Sequence, residues 1–126
     1  DSARIMSAKL LLSKVDSLAS GFPIIITGDF NMLHSSQRYS ILTGPYESVP
    51  LLADSYAITD KRPVGPAYTF HGFSEKSSTG RIDFIFVRNG MKVLEHRVFI
   101  RKDHGIYISD HWPVMAVVEL KPSRHK

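Results

Sequence analysis

A short apolar strand that ends in two polar side chains, Pro-Ile-Ile-Ile-Thr-Gly-Asp-Phe-Asn at residues 23–31, most constrains the fold of this chain. The nearly continuous apolar run is typical of a strand that is buried on both faces, which favours a sheet covered by helices. Side chains at the end of such a strand project into the crevice where α/β sheets bind ligands. A period of two predicts that Asp29 and Asn31 point to the same side. Alternatively, both residues bond only their own backbone in a β-turn.

The elements around this strand alternate between helix and strand. A helix is predicted from Asp1 or Ser2 to about Ser20, because apolar residues recur at three- and four-residue steps and Gly21 and Pro23 end the pattern. The other predicted elements are a short helix from Ser35 or Ser36 to Leu42, a helical turn near 51–56, and strands at 82–87, 93–100 and 113–120.

The chain is expected to form one domain. A length of 126 residues fits a single α/β unit, here residues 1–121, with a frayed tail at 122–126. Asn89-Gly90 separates the strands at 82–87 and 93–100, and this dipeptide predicts that they pair as a hairpin.

Composition excludes some classes of protein and leaves others open. No apolar run approaches the roughly 18 to 20 residues that span a bilayer, so no transmembrane segment is expected. The chain has no cysteine, which excludes a disulfide framework and a thiolate metal site but leaves the compartment, cytoplasmic or secreted, open. The net charge of +4 favours an anionic partner, although a solvated surface is the more common explanation for positive charges this scattered.

Two later segments add groups suited to acid–base chemistry. Asp83 stands inside an otherwise apolar strand, where an unpaired carboxylate would be costly to bury. Asp110 and His111 stand just before the last strand. A carboxylate bonded to one ring nitrogen of histidine fixes the tautomer and raises the basicity of the other nitrogen, so Asp83 and His111 are a candidate orienting pair. Taken singly, each residue is also explained as a structural group, a satisfied histidine or a buried acid that caps backbone amides.

Three motifs together resemble the endonuclease/exonuclease/phosphatase superfamily, which has the fold of deoxyribonuclease I. They are Gly28-Asp29-Phe30-Asn31, Arg81-Ile82-Asp83 and Ser109-Asp110-His111. Tyr-Thr-Phe-His-Gly-Phe at 68–73 is also similar to many bacterial members. The resemblance implies the C-terminal half of a four-layered α/β sandwich, with one mixed, mainly antiparallel sheet and flanking helices. The Asn and the metal-binding Glu of the family's N-terminal half have no counterpart here.

The resemblance implies a divalent-metal-dependent phosphoester hydrolase, that is, a phosphodiesterase, nuclease or phosphatase. Asp29 would orient or deprotonate the attacking water, and Asn31 would help to position it and bind the phosphoryl group. His111, oriented by Asp83, would hydrogen-bond the scissile phosphate. Asp110 and Asp29 would lie at the metal, which in this family is usually Mg²⁺, with Mn²⁺ as a substitute.

Several alternatives stay open at this stage. Thr69 and His71 either border the substrate cleft or only pack among aromatic rings. The substrate is a nucleic acid, a phosphoinositide or another phosphoester. A non-catalytic half domain that serves binding or assembly is the second candidate function, because a fragment without the family Glu is expected to be inactive alone. The missing N-terminal half, or a second copy in a homodimer, would cover a sheet face that otherwise exposes apolar side chains from among Phe84, Phe86, Val114, Ala116 and Val118.

Overall fold

Helices cover one face of a three-stranded sheet in the part of the chain that the computed structural model describes, residues 1–44, 52–75 and 80–121. None of the helices described there combines the length and the apolar character needed to cross a membrane. The elements in chain order are α1 (Ser2–Ala19), β1 (Ile24–Asp29), α2 (Gln37–Thr43), β2 (Ala53–Asp54), α3 (Ser55–Ile58), β3 (Asp83–Arg88), β4 (Met91–Val98), β5 (Lys102–Asp103), β6 (Ile106–Tyr107) and β7 (Val114–Leu120).

The strands pair antiparallel, as expected, but they are divided among three sheets. One sheet has the order β1-β3-β2, β4 pairs with β7, and β5 pairs with β6 in a short ribbon. The α/β half domain with mainly antiparallel strands is therefore confirmed, whereas the expectation of one sheet is wrong. The predicted hairpin is wrong for a related reason. Asn89 and Gly90 have the positive φ angles of such a turn, 60° and 83°, but both edges of β3 are already occupied by β1 and β2.

The core lies between the helices and the sheet. Alternate residues of β3 face the helices, so that Phe84 and Phe86 are only 1% and 0% exposed, with stacked rings 5.3 Å apart. These two side chains were expected among those left facing water, and that expectation is wrong because α1 and α2 cover their side of the sheet. Ala8 and Val15 lie buried on α1, in agreement with the predicted apolar stripe.

The opposite face of this sheet is partly open. Ile25 is 50% exposed, so the prediction that the strand is buried on both faces is wrong. No described element covers Ile25, and Val114, Ala116 and Val118 on β7 are themselves only partly buried. The open face ends at the residue pair Asp29 and Asp83, which stand directly opposite each other in the β1–β3 register.

The two shorter predicted helices are present with shifted bounds. Ser36 is the N-cap of α2, and its hydroxyl accepts a hydrogen bond from the backbone N–H of Tyr39 at 3.2 Å, as the sequence predicted. The predicted turn near 51–56 appears as α3, four residues that begin at Ser55, and its expected first residue, Leu51, lies outside the described residues. The tail at 122–126 also lies outside them.

We expect the substitution Phe86→Ala to lower the free energy of unfolding by about 3 to 5 kcal/mol, because it removes a fully buried ring that touches both the sheet and the helices. Phe22→Ala is the matched control, since the Phe22 side chain is 70% exposed, and it should change stability by no more than about 0.5 kcal/mol. Urea unfolding of the three proteins measures both effects. Equal losses in the two variants would contradict the assigned core.

Candidate active site

A hydrogen-bonded pair, Asp83 and His111, forms the centre of the site. Asp83 is the first residue of β3, and an isolated bridge between Phe70 and His111 holds the histidine just before β7. The ring Nδ1 of His111 lies 2.7 Å from Oδ2 of Asp83, so the contact predicted from the sequence is present. An ionised carboxylate can only accept, so Nδ1–H donates to it. This leaves Nε2 of His111 facing away from Asp83, with no hydrogen-bond partner among the described residues.

Two further carboxylates flank that free nitrogen. Oδ2 of Asp29 lies 3.9 Å from Nε2 of His111, and Oδ1 of Asp110 lies 4.0 Å from it. The side chains of Asp29 and Asp110 are 37% and 46% exposed, and that of His111 is 25% exposed, so a ligand can reach all three. The structure therefore brings four of the sequence-predicted residues to one small region at the open end of the sheet.

The charges around His111 favour its protonated form. Partial burial lowers the pKa of His111, but the hydrogen bond to Asp83 and the negative charges of Asp83, Asp29 and Asp110 outweigh it and hold the pKa above its usual 6.5. The ring therefore carries a positive charge over more of the physiological pH range than an ordinary histidine does. Its Nε2–H is therefore a charged hydrogen-bond donor at the open end of the sheet.

The fifth predicted residue, Asn31, follows the end of β1. Its φ of 47° is left-handed, so the strand period no longer applies and cannot explain where its side chain points. The backbone N–H of Asn31 donates to Oδ1 of Asp29 at 2.8 Å, which is the turn that the sequence offered as the alternative. The turn is compatible with the functional interpretation, because Asp29 uses Oδ1 in the turn and directs Oδ2 toward His111.

Thr69 is buried and has a structural partner set. It is 0% exposed, and its Oγ1 accepts hydrogen bonds from the backbone N–H groups of Ile82 and Asp83 at 3.0 and 3.1 Å. The side chain therefore does not border an open cleft, contrary to the substrate-binding interpretation. Instead it holds the backbone that carries Asp83.

His71 is buried in the same way. Its ring is 1% exposed and packs between Tyr107 and Trp112, with ring centroids 4.7 and 4.0 Å away. The aromatic-packing alternative describes this side chain, and the substrate-binding interpretation does not. The backbone N–H of His71 donates to the carbonyl oxygen of Asp110 at 2.9 Å, so the segment fixes the loop that precedes β7.

A buried ion pair that was not predicted from the sequence supports β3 from the helix side. Arg81 donates to Oδ2 of Asp54 at 2.9 Å, and its guanidinium lies 3.9 Å from the centre of the Tyr56 ring. The hydroxyl of Tyr39 donates to the same Asp54 oxygen at 2.9 Å. Burial, reinforced by Asp54, raises the pKa of Tyr39 to about 12. The signal in the sequence was an arginine at the start of an apolar strand, since a buried guanidinium needs a carboxylate.

The donor groups suit a hard divalent cation. Within the described ranges, ligand atoms of Asp29, Asp83 and His111 lie within 4.8 Å of one another. Asp83 and His111 are already hydrogen-bonded to each other, so a metal in that group would have to separate them. Asp29 and Asp110 remain as exposed carboxylates, and Mg²⁺ prefers few carboxylates together with several waters.

Comparisons with known proteins identify the family and support the fold. The model of the endonuclease/exonuclease/phosphatase family matches residues 2–111. A solved endonuclease/exonuclease/phosphatase from Bacteroides vulgatus is similar over 95% of this chain, with 31% identity and a TM-score of 0.83. The mannosyl-6-phosphatase of Bacteroides thetaiotaomicron VPI-5482 is similar over 95% of this chain, with 29% identity and a TM-score of 0.75.

The matches also define how much of the family domain is present. This chain covers 45% of the Bacteroides vulgatus protein and 47% of the mannosyl-6-phosphatase, so it spans about half the length of these relatives. None of the curated proteins compared with the chain matches it.

We expect Asp83→Asn to lower the pKa of His111, because the substitution removes the carboxylate that holds its proton. In the wild type, folding raises this pKa, so the protonated ring stabilises the folded chain below pH 6.5 and the contribution is lost as the pH rises through the folded-state pKa. The variant should show a weaker pH dependence, because only Asp29 and Asp110 remain to raise the pKa of His111. NMR titration of the ring and unfolding at several pH values measure both effects.

Asp103→Asn provides the matched control for that experiment. The Asp103 side chain is 71% exposed and lies beside His104, and Asp103 is not among the charges that raise the pKa of His111. Its substitution should leave the His111 titration unchanged. A His111 pKa that stays the same in Asp83→Asn would contradict the orienting role of Asp83.

Proposed function

Because this chain belongs to the endonuclease/exonuclease/phosphatase family, we propose that it supplies the C-terminal half of the active site of a divalent-metal-dependent phosphoester hydrolase. The observation that supports this best is the arrangement around His111. One ring nitrogen is held by Asp83 at 2.7 Å, and the other faces the carboxylates of Asp29 and Asp110 at 3.9 and 4.0 Å. A positively charged histidine beside two exposed carboxylates can bind a phosphoester and activate the water that attacks it.

His111 would bind the phosphoryl group. Its raised pKa favours the form with a proton on Nε2, and that N–H would donate to a non-bridging phosphoryl oxygen. A charged donor already aimed at this oxygen stabilises the negative charge that builds up in the transition state. Asp83 prevents the ring from turning and therefore acts as a positioning residue.

Asp29 and Asn31 would act on the attacking water. The backbone N–H of Asn31 holds Oδ1 of Asp29, which leaves Oδ2 to accept a proton from that water. The Asn31 amide would donate to the phosphoryl group from the neighbouring position.

Asp110 and Asp29 would hold the divalent cation, Mg²⁺ or Mn²⁺. When bound, such a cation supplies Lewis-acid stabilisation of charge on the phosphoryl oxygens and the leaving group. The two carboxylates of this chain are too few for a closed cage. The remaining ligands would therefore come from water and from the part of the family domain that this chain does not span.

The substrate class is proposed from the name of one relative. A relative with 29% identity is named a mannosyl-6-phosphatase, so a sugar phosphate is the first substrate to test, beside a DNA diester and a phosphoinositide. The alternative function is a non-catalytic half domain for binding or assembly.

Hydrolysis of the generic diester bis-p-nitrophenyl phosphate distinguishes a phosphoester hydrolase from a non-catalytic half domain. In a protein that contains both halves of the domain, we expect His111→Ala to lower turnover by about a hundredfold or more, since it removes a positioned charged donor. Removal of the metal with EDTA should abolish turnover, and Mg²⁺ should restore it. His104→Ala is the matched control because the His104 side chain is 92% exposed. This chain alone should show no turnover, and a His111→Ala rate equal to that of the wild type would exclude the mechanism.

The open sheet face needs a second layer. We propose that the other half of the family domain covers it and that, in this chain alone, a second copy does so in a homodimer. Ile25→Glu should then abolish dimers seen by sedimentation at micromolar concentration. Leu18→Glu, at a residue 82% exposed on α1, should not. A wild-type chain that stays monomeric without aggregating would exclude the homodimer.

A further inference from the structure

A cavity beside the site contains two arginines that the proposed reaction does not use. It has a volume of about 340 Å³ and lies between α1 and the loop that follows β1. Asp29 and Asn31 form part of its wall, so the cavity adjoins the site. The remaining lining residues are Arg4, Ser7, Ala8, Leu11, Phe30, Met32, Arg38 and Leu42.

The two guanidiniums give the cavity its charge. Arg4 is exposed, and among the described residues it has no ion-pair partner. Arg38, whose side chain is 15% exposed, donates one hydrogen bond to the carbonyl oxygen of Asn31 at 3.0 Å. Its Nε lies 4.0 Å from the carboxylate of Asp1, which is 71% exposed and therefore well screened. A guanidinium has five N–H donors, so most of those on Arg38 stay available.

The apolar walls of the cavity strengthen the attraction of the two arginines for an anion. Ala8, Met32 and Leu42 are buried apolar residues, and they limit how much water can screen an ion held beside the arginines. The carboxylate of Asp29 lies on the wall nearest the site and repels an anion from that side. An oxyanion would therefore settle against Arg4 and Arg38, next to the reacting group but separate from it.

We propose that this cavity binds a second phosphoryl group of the substrate, carried on the same molecule as the scissile phosphoester. Arginine is suited to this because its planar fork donates two parallel hydrogen bonds to phosphate oxygens. The inference rests on the proposed phosphoester chemistry at Asp29 and His111, because only that chemistry places the first phosphoryl group beside the cavity. It narrows the substrate class to compounds with two phosphoryl groups.

The test measures binding rather than turnover, so that its failure differs from failure of the proposed function. Inorganic phosphate is titrated into this chain in a His111→Ala background, and NMR signals of the Ser7 amide and the Arg38 Nε–H report the cavity. Arg4→Gln and Arg38→Gln should each weaken phosphate binding by about tenfold. Arg38→Lys, which keeps the charge but not the fork, should give an intermediate loss.

Arg101→Gln is the matched control, because Arg101 is exposed and the substitution removes the same charge elsewhere. It should change the affinity by less than about twofold. Unchanged affinity in both cavity variants would overturn the proposal, as would phosphate shifts that occur only around His111 in the wild type. Arg4→Gln keeps the test valid if Arg38→Gln fails to fold.

A second titration identifies the carrier of the two groups. A sugar bisphosphate and a 5′-phosphorylated dinucleotide are compared with inorganic phosphate in the chain with His111 intact. Tighter binding of either compound, lost in Arg4→Gln, supports the proposal and names the carrier. If neither binds more tightly than inorganic phosphate, the proposal of two groups on one substrate is overturned.

Discussion

The site depends on the β1–β3 pairing, which sets two carboxylates directly opposite each other. Asp29 and Asp83 are register partners at the end of the sheet, and like charges in such positions repel. His111 relieves this repulsion, because one ring nitrogen bonds Asp83 and the other faces Asp29 at 3.9 Å. The protonated ring thus stabilises the sheet end, and its Nε2–H is the donor that would bind phosphate. The contacts that stabilise this end of the sheet therefore also set the charge of the candidate catalytic histidine.

A segment distant in sequence, residues 68–73, holds the residues of this arrangement in place through hydrogen bonds. Thr69 accepts the N–H groups of Ile82 and Asp83, and its own carbonyl accepts the N–H of Trp112 at 2.7 Å. One residue therefore joins the strand that carries Asp83 to the loop that carries His111. The segment is rich in aromatic and polar residues that suggested substrate contact, yet it acts by holding two motifs at hydrogen-bonding distance.

The motifs and most elements could be predicted from the sequence, because their signals are local. The Asp83–His111 contact followed from the cost of burying an unpaired carboxylate, and Ser36 followed from capping chemistry. What could not be predicted depends on long-range pairing. Asn89-Gly90 has the local geometry of a hairpin turn, but which strands pair is decided by competition for the edges of β3. The exposure of Ile25 likewise depends on what covers the sheet.

Successive side chains of β3 point to opposite faces of the sheet, so this strand links the core to the site. Phe84 and Phe86 face the helices, while Asp83 and Ile85 face the open side, so a slip of one residue would exchange the two sets. Burial of the two rings opposes that slip, and so does the Arg81–Asp54 ion pair, since breaking it would leave a buried charge without a partner. The distance from Asp83 to His111 is therefore maintained by packing on the far side of the sheet. Substitutions in that packing should act on the chemistry through the register, even though none of the rings touches the reacting groups.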